Sequence, residues 1–134
     1  MIVVDTNIIA YFVIPSDMSE LAEKVRVSDP TWVAPILWRS EMRNVFAGYL
    51  RKGLMDLAEI QKEMINTEVL FAGREYEVDS NRVLELVSLS DCSSYDCEFV
   101  ALSEQLQVPL VTSDKKILKA FPSSAVSLND FASS

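Results

Sequence analysis

Residues 1–7 read MIVVDTN: the β-branched run Ile2, Val3, Val4 leads directly into Asp5. Such a run predicts a short strand buried on both faces, as in the middle of a parallel sheet. It stops on a carboxylate. A single acid there is an ordinary helix N-cap, since Asp is among the favoured residues at that position. Several acids converging on the same rim would make a site. The rest of the chain has to decide between these readings.

Composition narrows the choice. The chain has 134 residues, enough for one core, and a single domain over 1–134 is expected. Hydrophobic content of 49% and charged content of 24% are ordinary for a globular protein. No apolar run is long enough to span a membrane. The apolar start carries Asp5 and lacks the basic lead-in of an export signal, so a cytoplasmic protein is expected. The net charge of −8 argues against gripping nucleic acid by broad attraction alone, yet suits an acidic pocket that recruits cations.

The chain contains no histidine, which removes Ser–His and Cys–His nucleophiles and imidazole acid–base chemistry. Gly48, Gly53 and Gly73 are its only glycines, so no phosphate-cradling Gly-rich loop is present. Cys92 and Cys97 are too few for a structural zinc site and are expected as buried or half-buried free thiols. An enzyme of this composition has to work mainly with carboxylates.

Periodicity and breakers set the element order. Asn7–Val13 reads as helix or turn, and Pro15-Ser16-Asp17 opens a helix over about 17–28. Trp32–Ala34 is a strand. A helix over about 36–52 carries Trp38, Met42, Val45 and Tyr49 at i, i+4, i+7 and i+11. Another covers about 56–66, and Val69–Phe71 is a short strand or an extended connection. Asp79 caps one helix, and Ser93 or Ser94 caps another over about 94–106. Val108–Thr112 is a strand, 114–120 a short helix and Ala125–Ser127 a last strand, followed by a tail. Strands alternating with helices indicate a parallel sheet covered on both faces.

On that frame, Asp5 ends the first strand and Asp114 stands two residues past Thr112. Strand carboxyl ends line the ligand crevice of an open parallel sheet, so these acids share a cleft if their strands are neighbours. Glu41 lies about a turn and a half beyond the second strand, and Asp96 in the first turn of the helix after Ser93-Ser94. Each has an ordinary reading as well. Asp5 and Asp114 serve as N-caps, Asp96 favours a helix dipole, and Glu41 pairs with Arg39, Arg43 or a neighbouring element. Carboxylates gathered in one pocket repel, and a divalent cation resolves the conflict. Mg²⁺ and Mn²⁺ take such hard oxygen ligands. An ion so held lowers the pKa of a bound water and offsets charge on a phosphodiester, which allows hydrolysis without histidine.

The stretches MIVVDTNIIAYF, LWRSEMRNVF and SSYDCEFVALSEQLQVPLVTSDKKIL resemble the three signature blocks of PIN-domain ribonucleases, most closely the toxins of VapBC-type toxin–antitoxin pairs. The third block is the most specific, and the resemblance covers nearly the whole chain. It implies a three-layer α/β/α sandwich with a central, mainly parallel five-stranded sheet. It implies Mg²⁺- or Mn²⁺-dependent RNA hydrolysis leaving a 5′-phosphate and a 3′-hydroxyl, homodimerisation and an antitoxin partner. It places the metal-binding, catalytic acids at Asp5, Glu41, Asp96 and Asp114, with Thr6, Asn7 and Thr112 supporting them. Asp91, five residues before Asp96, is a candidate accessory acid, and Arg39, Arg43 and Lys115 are candidate RNA phosphate contacts. The rival expectation is a catalytically silent module on the same fold, acting through a protein partner. A receiver domain is disfavoured because Asp56, the only mid-chain candidate, starts a helix instead of ending a strand. A phosphatase with an aspartate nucleophile wants a second acid two residues after Asp5, where Asn7 stands.

Overall fold

The computed structural model describes residues 1–134. In chain order the elements are β1 (Ile2–Val4), α1 (Thr6–Val13), α2 (Ser19–Ser28), β2 (Trp32–Pro35), α3 (Trp38–Arg51), α4 (Leu57–Leu70) and β3 (Glu75–Tyr76). There follow α5 (Ser80–Ser88), α6 (Ser94–Leu106), β4 (Leu110–Thr112), α7 (Lys115–Ala120), β5 (Ala125–Ser127) and α8 (Leu128–Ser133). The strands form one five-stranded sheet in the order β3-β2-β1-β4-β5. Every pairing is parallel, with Val3 opposite Val33, Val4 opposite Val111 and Val111 opposite Val126.

The layers follow from the direction of each crossover. The chain moves one way from β1 to β3 and the other way from β3 through β4 to β5. Right-handed crossovers run in opposite directions deposit their helices on opposite faces. Accordingly α6 lies against β1, β2 and β4 with α5 packed on it, while α1 and α8 meet the sheet on the other side and α2 joins them. This double cover is why β1, most of β2 and β4 contain almost nothing but apolar residues. Ile2, Val3, Val4, Trp32, Val33, Leu110 and Val111 are all essentially inaccessible to solvent. From the helices, Trp38, Met42 and Phe46 of α3 and Phe99, Val100 and Leu102 of α6 complete the core.

Three elements differ from the sequence expectation. α4 continues to Leu70 and takes in most of the Val69–Phe71 stretch, with Phe71 as its C-cap. Phe71 is buried there against Trp38, ring centroids 4.9 Å apart. The missing strand is β3, only two residues long, and no apolar run announces it. It is pinned by side chains: Glu75 accepts from Trp38 Nε1 at 2.8 Å and from Arg39 at 2.6 and 2.8 Å. Arg39 also reaches Glu68 of α4 at 2.7 Å. Finally, residues expected as a tail form α8, capped by the Ser127 hydroxyl accepting from the Asp130 N–H at 3.1 Å and anchored by buried Leu128.

Candidate functional site

β1 and β4 are neighbours, and between them the strand order reverses: β2 and β3 extend to one side, β5 to the other. Ligands of open parallel sheets sit at the strand carboxyl ends at such a reversal. Asp5 and Asp114 emerge there. The Asp5 N–H donates to the Val111 carbonyl at 3.0 Å, so the last rung of the β1–β4 ladder holds the residue itself.

Asp5 is only 7% exposed, and both of its carboxylate oxygens are engaged. Oδ1 accepts from the Thr6 N–H at 2.7 Å, which caps α1, and Oδ2 accepts from the Thr112 hydroxyl at 2.7 Å. The Thr112 oxygen in turn accepts from the Asp114 N–H at 3.0 Å. One buried hydroxyl at the end of β4 therefore fixes both Asp5 and the backbone of Asp114. Asp114 caps α7, its Oδ1 accepting from the N–H groups of Lys116 and Ile117 at 2.8 and 3.1 Å.

The other acids arrive on helices. Glu41 sits in the first turn of α3, and its Oε1 accepts from the Thr6 hydroxyl at 2.7 Å. Asp96 is the third residue of α6 in a capping box: its N–H donates to Ser93 Oγ at 3.0 Å, and its carboxylate accepts from the Ser93 N–H at 3.4 Å. Cys92 and Cys97 bracket this box at the positions of a hydrophobic staple, both buried as free thiols. The staple and the box together set the angle at which α6 delivers Asp96.

All four acids line one open cleft of about 600 Å³. Its second wall is a face of α3 made by Leu37, Ser40, Glu41, Asn44 and Val45, and Asn7 and Tyr95 complete the rim. No Lys or Arg lines it. The acids consequently stand in one another's field with nothing to balance them. Burial, reinforced by Glu41 and Asp96, pushes the Asp5 carboxyl up from 3.8 to about 6 against the opposing hydrogen bonds from Thr112 and Thr6. Burial also raises the Glu41 carboxyl, with Asp96 adding to it and the Thr6 hydroxyl opposing.

No three acids are drawn together into a ready-made metal cage. The donor set nonetheless fits a hard divalent cation. Mg²⁺ keeps several waters and needs one or two direct carboxylates, so the remaining acids can act through those waters. Both Asp5 oxygens and Glu41 Oε1 accept one hydrogen bond each and so retain a second lone pair for a cation, while Asp114, whose Oδ1 accepts two, offers Oδ2.

The remaining sequence candidates are placed as follows. Thr6 and Thr112 contact the acids directly, while Asn7 stands exposed on the cleft rim. Arg43 and Lys115 are exposed outside the cleft lining. Arg39 does not reach the cleft lining, because its guanidinium is held by Glu75 and Glu68. Asp91 is exposed and also lies outside the lining. Sequence reasoning missed Ser40, Asn44 and Tyr95. The spacing 37, 40, 41, 44, 45 would have found the first two, once Glu41 was taken as the centre of a polar helix face. It missed Glu98 too, whose carboxyl is raised by burial and by Glu41 and which lines the adjoining groove with Ile36 and Tyr76.

With this geometry in place, the comparisons with known proteins converge. The PIN domain family matches residues 2–121, and the chain belongs to that family, a family of nucleases. Among solved structures the chain is similar to PAE2754 from Pyrobaculum aerophilum, at 18% identity and a TM-score of 0.77, covering 98% of this chain and 93% of that one. It is also similar to FitAcB from Neisseria gonorrhoeae, at 18% identity and a TM-score of 0.67, covering 96% of this chain and 98% of that one. No curated protein sequence matches it. At these identities the two structures speak for the fold, which they share over nearly its full length. No helix is long and apolar enough to cross a membrane.

Proposed function

We propose that residues 1–134 form a single metal-dependent endoribonuclease domain, the cytoplasmic toxin of a toxin–antitoxin pair, working as a homodimer and restrained by its antitoxin. The observation that carries the nuclease reading is the convergence of Asp5, Glu41, Asp96 and Asp114 on one cleft at the sheet's reversal point, with no cation of the protein among them. The toxin assignment rests on the three sequence blocks that resemble VapC-type toxins.

In this reading Asp5, Asp96, Glu41 and Asp114 hold Mg²⁺ or Mn²⁺. Once bound, such an ion lowers the pKa of the attacking water and offsets charge on the scissile phosphate. The protein's own part is positioning. Thr112 locks the Asp5 carboxylate against the start of α7, and Thr6 locks Glu41 against the start of α1. Asn7 supports the rim, and Asp91 is an accessory acid outside the lining. Arg43 and Lys115 are free to contact RNA phosphates flanking the site. Arg39 is left out of that role because its charge is already paired with Glu75 and Glu68.

The test is cleavage of RNA by the purified protein in Mg²⁺ or Mn²⁺, with end analysis for 5′-phosphates. Asp5→Asn and Asp96→Asn should each abolish cleavage while retaining the fold. Unchanged cleavage by Asp5→Asn protein sinks the assignment. A catalytically silent module is the second reading, favoured by the spacing of the acids, no three of which cluster. Calorimetric titration separates the two: no Mn²⁺ binding at millimolar concentration supports the silent module.

A further inference from the structure

The chain contains two Trp, four Tyr and six Phe, and of these aromatic residues only Tyr95 is exposed, at 59%. It stands on the rim of the acidic cleft, immediately before Asp96 in the first turn of α6. Its ring is paired with no other aromatic and with no Arg or Lys. The cleft also lacks what most nucleic-acid sites use, since no Lys or Arg lines it and the chain carries a net charge of −8. Inside the cleft, affinity beyond the metal's hold on the scissile phosphate then has to come from uncharged groups. An aromatic face is a sequence-tolerant platform for an unpaired base, because every base has a π-face. A base stacked within a duplex cannot reach such a platform.

Resting on the nuclease reading above, we propose that Tyr95 is the base-stacking residue of this cleft. A nucleotide beside the scissile phosphate lays its base on the Tyr95 ring. Asn44 and Ser40, on the facing wall of α3, offer an amide and a hydroxyl to that nucleotide's polar edge. The ring carries the interaction and the phenol hydroxyl is dispensable.

The test uses the full chain in Ca²⁺ and a single-stranded oligoribonucleotide carrying one 2-aminopurine, whose fluorescence is quenched on stacking. The same oligonucleotide annealed to its complement is the control. The wild-type protein should quench the single strand and leave the duplex unaffected. Tyr95→Ala should weaken single-strand binding roughly 5- to 150-fold, the range for loss of one stacked base. Tyr95→Phe should restore quenching, and calorimetric Mn²⁺ affinity should be equal in all three proteins. Tyr95 is exposed, so circular dichroism should show each variant folded. Equal single-strand binding by Tyr95→Ala and wild type overturns the proposal. So does equal binding of duplex, or the absence of RNA binding altogether, which would leave Tyr95 as a contact for a protein partner. Tyr95-dependent binding without any cleavage in Mg²⁺ or Mn²⁺ would defeat the nuclease reading and leave only the stacking of a base on Tyr95 standing.

Discussion

At the scale of single residues, Asp5 is the most consequential side chain. In the folded protein its carboxyl holds a proton up to about pH 6, whereas the unfolded chain releases it near 3.8. Below the lower value both states are protonated, and the residue contributes no difference. Between the two, folding loses stability as pH rises. Above pH 6 the ionised, buried Asp5 costs roughly 3 kcal/mol in the absence of a cation. Asp5→Asn should therefore stabilise the metal-free protein at pH 7.5 by about 1–2 kcal/mol, less than the full cost because an amide cannot accept from both Thr6 and Thr112. The gain should vanish below pH 4, and urea unfolding in EDTA at the two pH values measures it. A variant no more stable than wild type at pH 7.5 would show that Asp5 is not carrying that cost. Thr112 should behave in the opposite sense. Thr112→Val strips the donor from Asp5 and the acceptor from the Asp114 N–H, and should cost about 1–3 kcal/mol. It should also weaken Mn²⁺ binding about 10- to 100-fold, as loss of a ligand's supporting hydrogen bond does, with Thr112→Ser restoring affinity in a calorimetric titration.

At the scale of elements, the starts of α1, α3, α6 and α7 all deliver site residues. Asp5 and Asp114 are simultaneously N-caps and cleft acids, so the capping role does not take either carboxylate out of the cleft. Asp96 is tied to α6 by its capping box with Ser93, and α4 carries an equivalent box between Asp56 and Glu59, outside the cleft. The pair forms an internal control. Ser93→Ala and Asp56→Ala should each lower stability by about 1 kcal/mol in chemical denaturation. Only Ser93→Ala should also reduce Mn²⁺ affinity, because only its helix start carries a site acid. Equal affinity in the two variants would separate the box from the site.

At the scale of the whole molecule, the metal-dependent function proposed above makes the charge imbalance of the cleft couple metal, proton and fold. A divalent cation that binds only the folded state raises its stability by about 2.7 kcal/mol at a hundredfold excess over Kd. Protons compete for the same oxygens, so Mn²⁺ should raise the melting temperature clearly at pH 7.5 and much less at pH 5, below the Asp5 value. Differential scanning fluorimetry with and without EDTA reads both shifts. A Mn²⁺ effect that is equal at the two pH values would place the ion away from Asp5.

Much of this was legible in the order of residues, for definite reasons. β1, β2 and β4 are buried on both faces, so their apolar runs were unambiguous, and the breakers Pro15 and Asp29-Pro30 marked the joints between elements. Asp5 and Asp114 were visible because one directly follows such a strand and the other stands two residues past one. Residues held by distant partners were not visible. β3 exists because Arg39 and Trp38 of α3 grip Glu75, a contact spanning 36 and 37 residues that no local pattern encodes. That same contact draws Arg39 away from the cleft. Tyr95 reads in sequence as one more apolar helix position, and only the packing of α6 turns it outward. The sequence by itself determined the parallel sheet and which carboxylates stand at its rim, because burial period and strand-end position are local properties. Tertiary structure alone decided that those acids share one cleft without a balancing cation, because charge neutrality depends on distances between elements far apart in the chain.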